Sequence, residues 1–279
     1  MADTYTTATT AAAFIPELWS SFVQVARESN LIMANLVRRF DVEVASYGDI
    51  LHVPNLTNFS AGNISTSDGT LDASANTEST TDITIDKWKG CKVNVLDIVK
   101  AQSKQDLMKY FSGKIGYALG LVVETDLTAL APSLSQTVGT FNTDFTDANL
   151  RRAIQYLDDA LAPFEDRHYL FKPAGRNTLL GIDKFVRYDA VPMGRGESPI
   201  LKGNIGELYG ARVHISPNTY KTSNNTSNML FHRDTFGLAM QKKAKIEQWA
   251  RTAFTDVMAG QELYGVKEMR DDQGCEIRS

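Results

Sequence analysis

Apolar residues recur along this chain with two periods, and the changes of period divide it. Residues 1–13 are nearly all Ala and Thr and show no period, which predicts an extended arm. Leu18, Phe22 and Val25 then return at helical spacing, and Pro16 suits a first helical turn. A second apolar piece runs from Leu31 to Phe40. After a turn at Tyr47-Gly48-Asp49 the pattern changes to alternation, with Leu51 and Val53 against Ile50 and His52, and it alternates again around Ile83 and Ile85. Leu107, Phe111, Ile115, Leu119 and Val122 form one helical stripe, predicting a helix over 103–131 about 40 Å long. Ser103 and Asp106 read as a capping-box variant, Pro132 as the stop, and Gly113, Gly116 and Gly120 as points of close packing. A second helix is predicted over 145–163, with Thr146 as N-cap inside a Phe145/Leu150 staple and Leu150, Ile154, Leu157 and Leu161 as its buried stripe. A short strand His168–Phe171 and a helical stretch Pro173–Leu180 stopped by Gly181 follow. A Gly- and Pro-rich loop covers 189–203. From residue 204 onward the chain is mostly strand: 211–216, 229–231, 236–240, 245–254 and 263–269. Runs of helix followed by runs of strand define an α+β chain, not the regular alternation of a doubly wound enzyme.

Composition changes this picture at one place. The 279 residues are 43% apolar and carry 29 basic and 33 acidic side chains, a net charge of −4; together these exclude disorder and a strongly basic nucleic-acid binder. The segment 59–86, however, holds five acids (Asp68, Asp72, Glu78, Asp82 and Asp86) and no Lys or Arg. Two strands joined by this polar, acidic tip predict a long hairpin over about 49–95. A two-stranded ribbon is marginal alone in water, so such a hairpin is expected to lie on another surface. Farther on, Lys242, Lys243 and Lys245, with Arg251 beyond, form a basic segment. Opposite patches steer association, and Asp68, Asp72, Glu78, Lys242, Lys243 and Lys245 are therefore the candidate subunit-interface residues.

Candidate chemistry is sparse. His52, His168, His214 and His232 each stand alone in a strand or at its end, without a Cys, Asp or Glu at metal-ligand spacing. There is no nucleophile elbow and no strand-led glycine-rich phosphate loop, and the paired acids Asp158-Asp159 and Asp271-Asp272 are adjacent, not convergent. No catalytic, cofactor-binding or metal-binding residue is assigned, and no cofactor is expected. Two cysteines, Cys91 and Cys275, suit free thiols. The first residues lack a charged n-region and an apolar h-region, and no apolar run approaches the roughly 18 residues of a membrane span; neither a secretory signal nor a membrane partner is expected.

The order of these features resembles the major capsid (coat) protein of tailed double-stranded DNA bacteriophages. Phe14-Ile15-Pro16-Glu17-Leu18-Trp19-Ser20 is similar to the opening of such coat proteins. The run from Gly203-Asn204-Ile205-Gly206-Glu207-Leu208-Tyr209-Gly210 to Asn218 resembles their turn-then-strand segment. Phe231–Ala239 and Leu263–Lys267 resemble two further segments, and the likeness covers roughly 14–279. The resemblance implies an N-terminal arm (1–31), an extended β-hairpin loop (49–95) lying across a neighbouring subunit, and a spine helix (103–131). It also implies a peripheral domain (32–48, 96–132 and 227–264) and an axial domain (133–226 and 265–279). The implied function is that of a non-enzymatic virion protein, assembled in the host cytoplasm, whose hexamers and pentamers tile an icosahedral capsid. The implied partners are the chain itself, a separate scaffolding protein, a portal protein, an optional cement or decoration protein, and packaged DNA contacted non-specifically.

Two departures add expectations. Some relatives link an extended-loop Lys covalently to a neighbour's Asn; Phe59–Asp86 has no Lys, so no such cross-link is expected. Only about thirty residues precede the predicted body, so no large maturation cleavage is expected. Three alternatives share part of the pattern: an encapsulin-type nanocompartment shell, another virion component, and an enzyme whose site is not written in a local motif.

Overall fold

The computed structural model describes residues 31–44, 48–56, 59, 61–64, 66–67, 69–70, 78–96, 98, 107–182, 206–249 and 255–279. The arm, the Ser103/Asp106 cap, the 189–203 loop and Arg251 lie outside the described residues. In chain order the first elements are α1 (Met33–Leu36), β1 (Arg38–Arg39), α2 (Asp41–Val44), β2 (Ile50–Leu56), β3 (Glu78–Thr84), β4 (Lys87–Leu96) and α3 (Leu107–Thr128). Next come β5 (Thr137–Val138), α4 (Asp147–Asp159), β6 (Arg167–Phe171), α5 (Pro173–Leu180), β7 (Glu207–Leu208) and β8 (Ala211–Ile215). The chain closes with β9 (Lys221–Thr222), β10 (Asn225–His232), β11 (Phe236–Trp249), β12 (Thr255–Glu268) and β13 (Gly274–Arg278). The class is mixed helix and strand, as the periods predict.

Three sheets form. The first has the order β1-β11-β12-β4, the second β5-β13-β10-β6-β8-β7 with β9 on β10, and the third is the ribbon β2-β3. The expected pair of long strands over 49–95 is thus shorter. β2 and β3 pair antiparallel from Ile50↔Thr84 to Leu56↔Glu78, and the chain then leaves the ribbon at Ile85-Asp86. Residues 87–96 go instead into the first sheet, where β4 runs antiparallel to β12 over its whole length. The reason is burial: on β12, Cys91 and Val93 pack under α3 with Ile115, Leu119 and Met258, and Val95 is buried, a cover the ribbon does not offer.

The helices pack by their stripes. On α3 the buried positions are Ile115, Leu119, Val123 and Leu127, so the stripe turns to Val123 instead of the expected Val122. Of its three glycines Gly120 is the close approach, since a Cβ there would lie 2.7 Å from Leu31 Cδ1, while nothing stands within 4 Å of one at Gly113. Pro132 follows the helix in a 3-10 turn, Ala131–Ser133. On α4 Leu150, Ala153 and Leu157 are buried against the second sheet, and Thr146 is the extended N-cap residue without a side-chain cap bond. Leu161 leaves the expected stripe. The helix ends at Asp159, and Leu161 turns the chain at φ 56° and is 84% exposed. Between the two larger sheets sits a shared core of Met33, Leu127, Met229, Phe231, Phe236 and Tyr264. The ribbon has only its root buried, where Ile83 and Ile85 pack with Phe40, Val44 and Ala239. Among the described residues no helix is long and apolar enough to cross a membrane.

Candidate subunit-contact surface

The first sheet has one covered face and one bare face. Alternation on β12 sends Met258, Glu262 and Tyr264 to the same side as Gly260, and that side carries α3: a Cβ at Gly260 would lie 2.7 Å from Ile115 and 3.0 Å from Leu119. The other side presents Ala259 and Gln261. In register beside them stand Trp88 and Lys92 from β4, and Lys242, Lys245 and Glu247 from β11. All of these but Lys242 line a groove of about 380 Å³ whose floor is β12 and whose walls include Trp88, Lys89, Lys92 and Lys245. Trp88 is 73% exposed, and its indole N–H donates to Gln261 Oε1 at 3.1 Å. Lys245 is itself exposed and pairs with Glu247 at 2.6 Å. β4 and the outer half of β11 are edge strands of this sheet. Lysines on such edges oppose indiscriminate strand pairing while leaving the apolar floor accessible.

The six interface candidates fall as follows. Lys242 and Lys245 register with Leu263 and Gln261, and Lys243 sits in the β-bulge between them, so the three are brought to one sheet edge. Only Lys245 lines the groove. Glu78 opens β3, exposed and opposite Leu56. Asp68 and Asp72 lie outside the described residues. The sequence reading missed the β4 side of the groove, although the run Lys87-Trp88-Lys89-Gly90-Cys91-Lys92 alternates visibly. Its pairing with β12, some 170 positions away, is what joins it to Lys245.

The structure also corrects the reading of isolated histidines. His52 Nδ1 lies 2.6 Å from Asp82 Oδ1 across the ribbon. On adjacent parallel strands β6 and β8, His168 Nδ1 and His214 Nε2 are 3.3 Å apart, so one ring must donate to the other. Burial, then the neighbouring His214, pushes His168 down to about 4. Among the described residues no group of three or more His, Cys, Asp or Glu side chains is placed to hold a metal. Both cysteines are free, Cys275 buried and Cys91 at the groove.

Buried acids form a second finding that no local motif announces. Glu124 of α3 is 1% exposed. It accepts from the Ile32 and Met33 amides at 3.1 and 2.7 Å and from the Ser216 hydroxyl at 3.3 Å, tying the start of the described chain to both sheets. Its carboxyl is raised above the usual range by burial, against the lowering effect of those bonds. Asp126, two residues farther along and so on a different face of the helix, binds the Tyr264 hydroxyl at 2.7 Å and Lys87 Nζ at 3.0 Å. Glu276 is fully buried and accepts from Ser227 and, at 2.9 Å, from Arg278 Nε.

This architecture, with a ribbon standing off a sheet backed by a long helix and a second sheet covered by two helices, is the fold of phage capsid structures. A structure from Mycobacterium phage Che8 superposes with a TM-score of 0.82 at 24% identity, covering 95% of this chain and 97% of that one. The capsid structure of the cyanophage P-SCSP1u gives 0.81 at 17% identity, covering 96% and 93%. The capsid of a native GTA particle gives 0.74 at 9% identity, covering 99% of both chains. No family model matches the chain, and no curated protein matches it either. The α+β expectation and the tailed-phage capsid fold therefore stand as observed, at a level of identity where the likeness is one of fold.

Proposed function

We propose that this chain is the structural subunit of an icosahedral virion shell, self-assembling as hexamers and pentamers around double-stranded DNA. The observation that carries this reading is the near-complete coverage of both chains in the phage superpositions. In this reading the peripheral domain is built on the first sheet with α3 and the axial domain on the second sheet with α4 and α5, which moves β4 out of the expected 49–95 loop and β10 out of the expected 227–264 peripheral segment, and residues 1–31 are the arm. The role is non-enzymatic. A separate scaffolding protein, a portal protein and an optional cement protein complete assembly in the host cytoplasm. DNA is contacted non-specifically and held without tight adhesion, since a net charge of −4 supplies little phosphate affinity. Electron microscopy of the purified chain tests this: closed shells tens of nanometres across are expected, and a persistent monomer under all assembly conditions overturns it. Native particles holding protein cargo instead of DNA would select the encapsulin alternative.

For the contact itself, the acidic hairpin of one subunit docks on the lysine-walled face of its neighbour. Asp68, Asp72 and Glu78 meet Lys242, Lys243 and Lys245. Charge complementarity and the bare apolar floor beside exposed Trp88 support this pairing. Each contact can be weak, because closure of the shell makes later contacts effectively intramolecular.

A further inference from the structure

Beneath α3, on the covered face of the first sheet, a carboxyl lies next to another carboxyl. Glu262 of β12 is 1% exposed, and its Oε1 has no hydrogen-bond partner among the described residues. Facing it are Asp126 from α3, Tyr264 from its own strand, Lys89 of β4, which is the register partner of Glu262, Lys87 of the same strand, and the β11 bulge containing Lys243. Lys87 Nζ is held by Asp126 at 3.0 Å, and the Tyr264 hydroxyl also donates to Asp126. Burial first, and the Asp126 charge second, push Glu262 up to about 7.

The position of this cluster gives it a consequence. Lys87 begins β4, three residues after β3 ends at Thr84, so it stands at the root of the hairpin. Beside Tyr264, Gly265 passes under the Thr84 carbonyl with no room for a Cβ. Besides the packing of Ile83 and Ile85 with Phe40, Val44 and Ala239, the root meets the body at the Thr84–Gly265 crossing and at the Lys87–Asp126 pair.

We propose that Glu262 and Asp126 form a proton-operated latch that pins the hairpin root to the spine helix when Glu262 is protonated and loosens it when Glu262 ionises. A neutral carboxyl is tolerated in the dry gap under α3. An ionised one adds a second negative charge beside Asp126 with an oxygen left unbonded, a cost relieved when water enters and α3 lifts from β12. Ionisation is favoured in the opened state, where the carboxyl returns to its ordinary range. The latch is intramolecular; only its use, freeing the hairpin to seek a neighbour, rests on the shell reading.

Hydrogen exchange of the full-length chain, corrected for the intrinsic pH dependence of amide exchange, tests it on peptides from α3 and from 84–96. Protection is expected to fall as pH rises from about 5, by at most about tenfold per pH unit, and to level off above about 7. Glu262→Gln should stay protected throughout. A Glu262→Gln profile parallel to the unsubstituted chain overturns the latch. If that variant does not fold, Asp126→Asn serves: removing the like charge must move the midpoint to lower pH, and an unmoved midpoint is equally fatal. A chain that shows the profile but forms no shells keeps the latch and loses the shell reading; shells without the profile do the reverse.

Discussion

Gly265 of β12 and Thr84 at the end of β3 cross so closely that the Thr84 carbonyl oxygen occupies the place of a Gly265 Cβ. Glycine is needed here for clearance. Gly265→Ala forces backbone against backbone, and overpacking of this kind costs about 1–3 kcal/mol. Gly113→Ala is the counterpart: it lies in α3 with open space around it and should stabilise by about 0.4–1 kcal/mol. Thermal unfolding of the two variants should move in opposite directions.

Leu157 and Leu161 are four residues apart on what the sequence reads as one stripe, yet Leu157 is fully buried and Leu161 is 84% exposed. Leu157→Ala should destabilise by about 2–5 kcal/mol, and Leu161→Ala should stay within about 0.5 kcal/mol. Equal effects in urea unfolding would contradict the turn at Leu161.

The interface proposal makes a swap prediction. Reversing Lys242, Lys243 and Lys245 to Glu should raise the concentration needed for assembly by about tenfold, taking ~0.5 kcal/mol for each exposed pair. Adding Asp68→Lys, Asp72→Lys and Glu78→Lys to that chain should restore assembly. Light scattering reads both steps, and failure of the sixfold variant to recover argues against this pairing.

His168 and Glu262 titrate with opposite sign. The His168 proton is disfavoured in the folded state, so the unfolded chain gains its proton first, and stability falls as pH drops from about 6.5 towards about 4. Glu262 is raised, so the stability from its neutral form is full below the ordinary carboxyl range and is lost as pH rises through about 7. The unsubstituted chain therefore shows a partly cancelled pH profile. His168→Gln should leave the Glu262 slope uncovered, so that the urea midpoint falls more steeply than in the unsubstituted chain as pH rises from about 4 to about 7; an unchanged profile would show that His168 does not contribute.

Much of this was legible in the chain. The α3 and α4 stripes, the Pro173–Leu180 helix and the strand character of 211–215, 229–231, 236–240 and 263–268 follow from local period, because a helix or strand that buries one face repeats its apolar residues at that spacing; the joining of 236–249 into one strand, the start of β12 at Thr255 and the strand Gly274–Arg278 do not follow from it. Glu207-Leu208-Tyr209-Gly210 carries its own hairpin turn, with Tyr209 and Gly210 at φ 50° and 81°, the two left-handed positions a tight turn between twisted strands requires. The acidic, Lys-free character of 59–86 is likewise a property of sequence alone.

What the sequence by itself determined, then, is which segments become helices and strands, which face of each seeks burial, and where charge is segregated; these are local properties, set within a few residues. Only the tertiary structure decided that β4 joins β12 instead of extending the ribbon. The same holds for the meeting of Trp88, Lys92 and Lys245 at one groove, of His168 with His214, and of Glu262 with Asp126. Partner choice between distant strands depends on which pairing buries the most apolar surface in three dimensions. Desolvation of a carboxyl exists only once α3 has closed over it, so neither leaves a periodic trace in the order of residues.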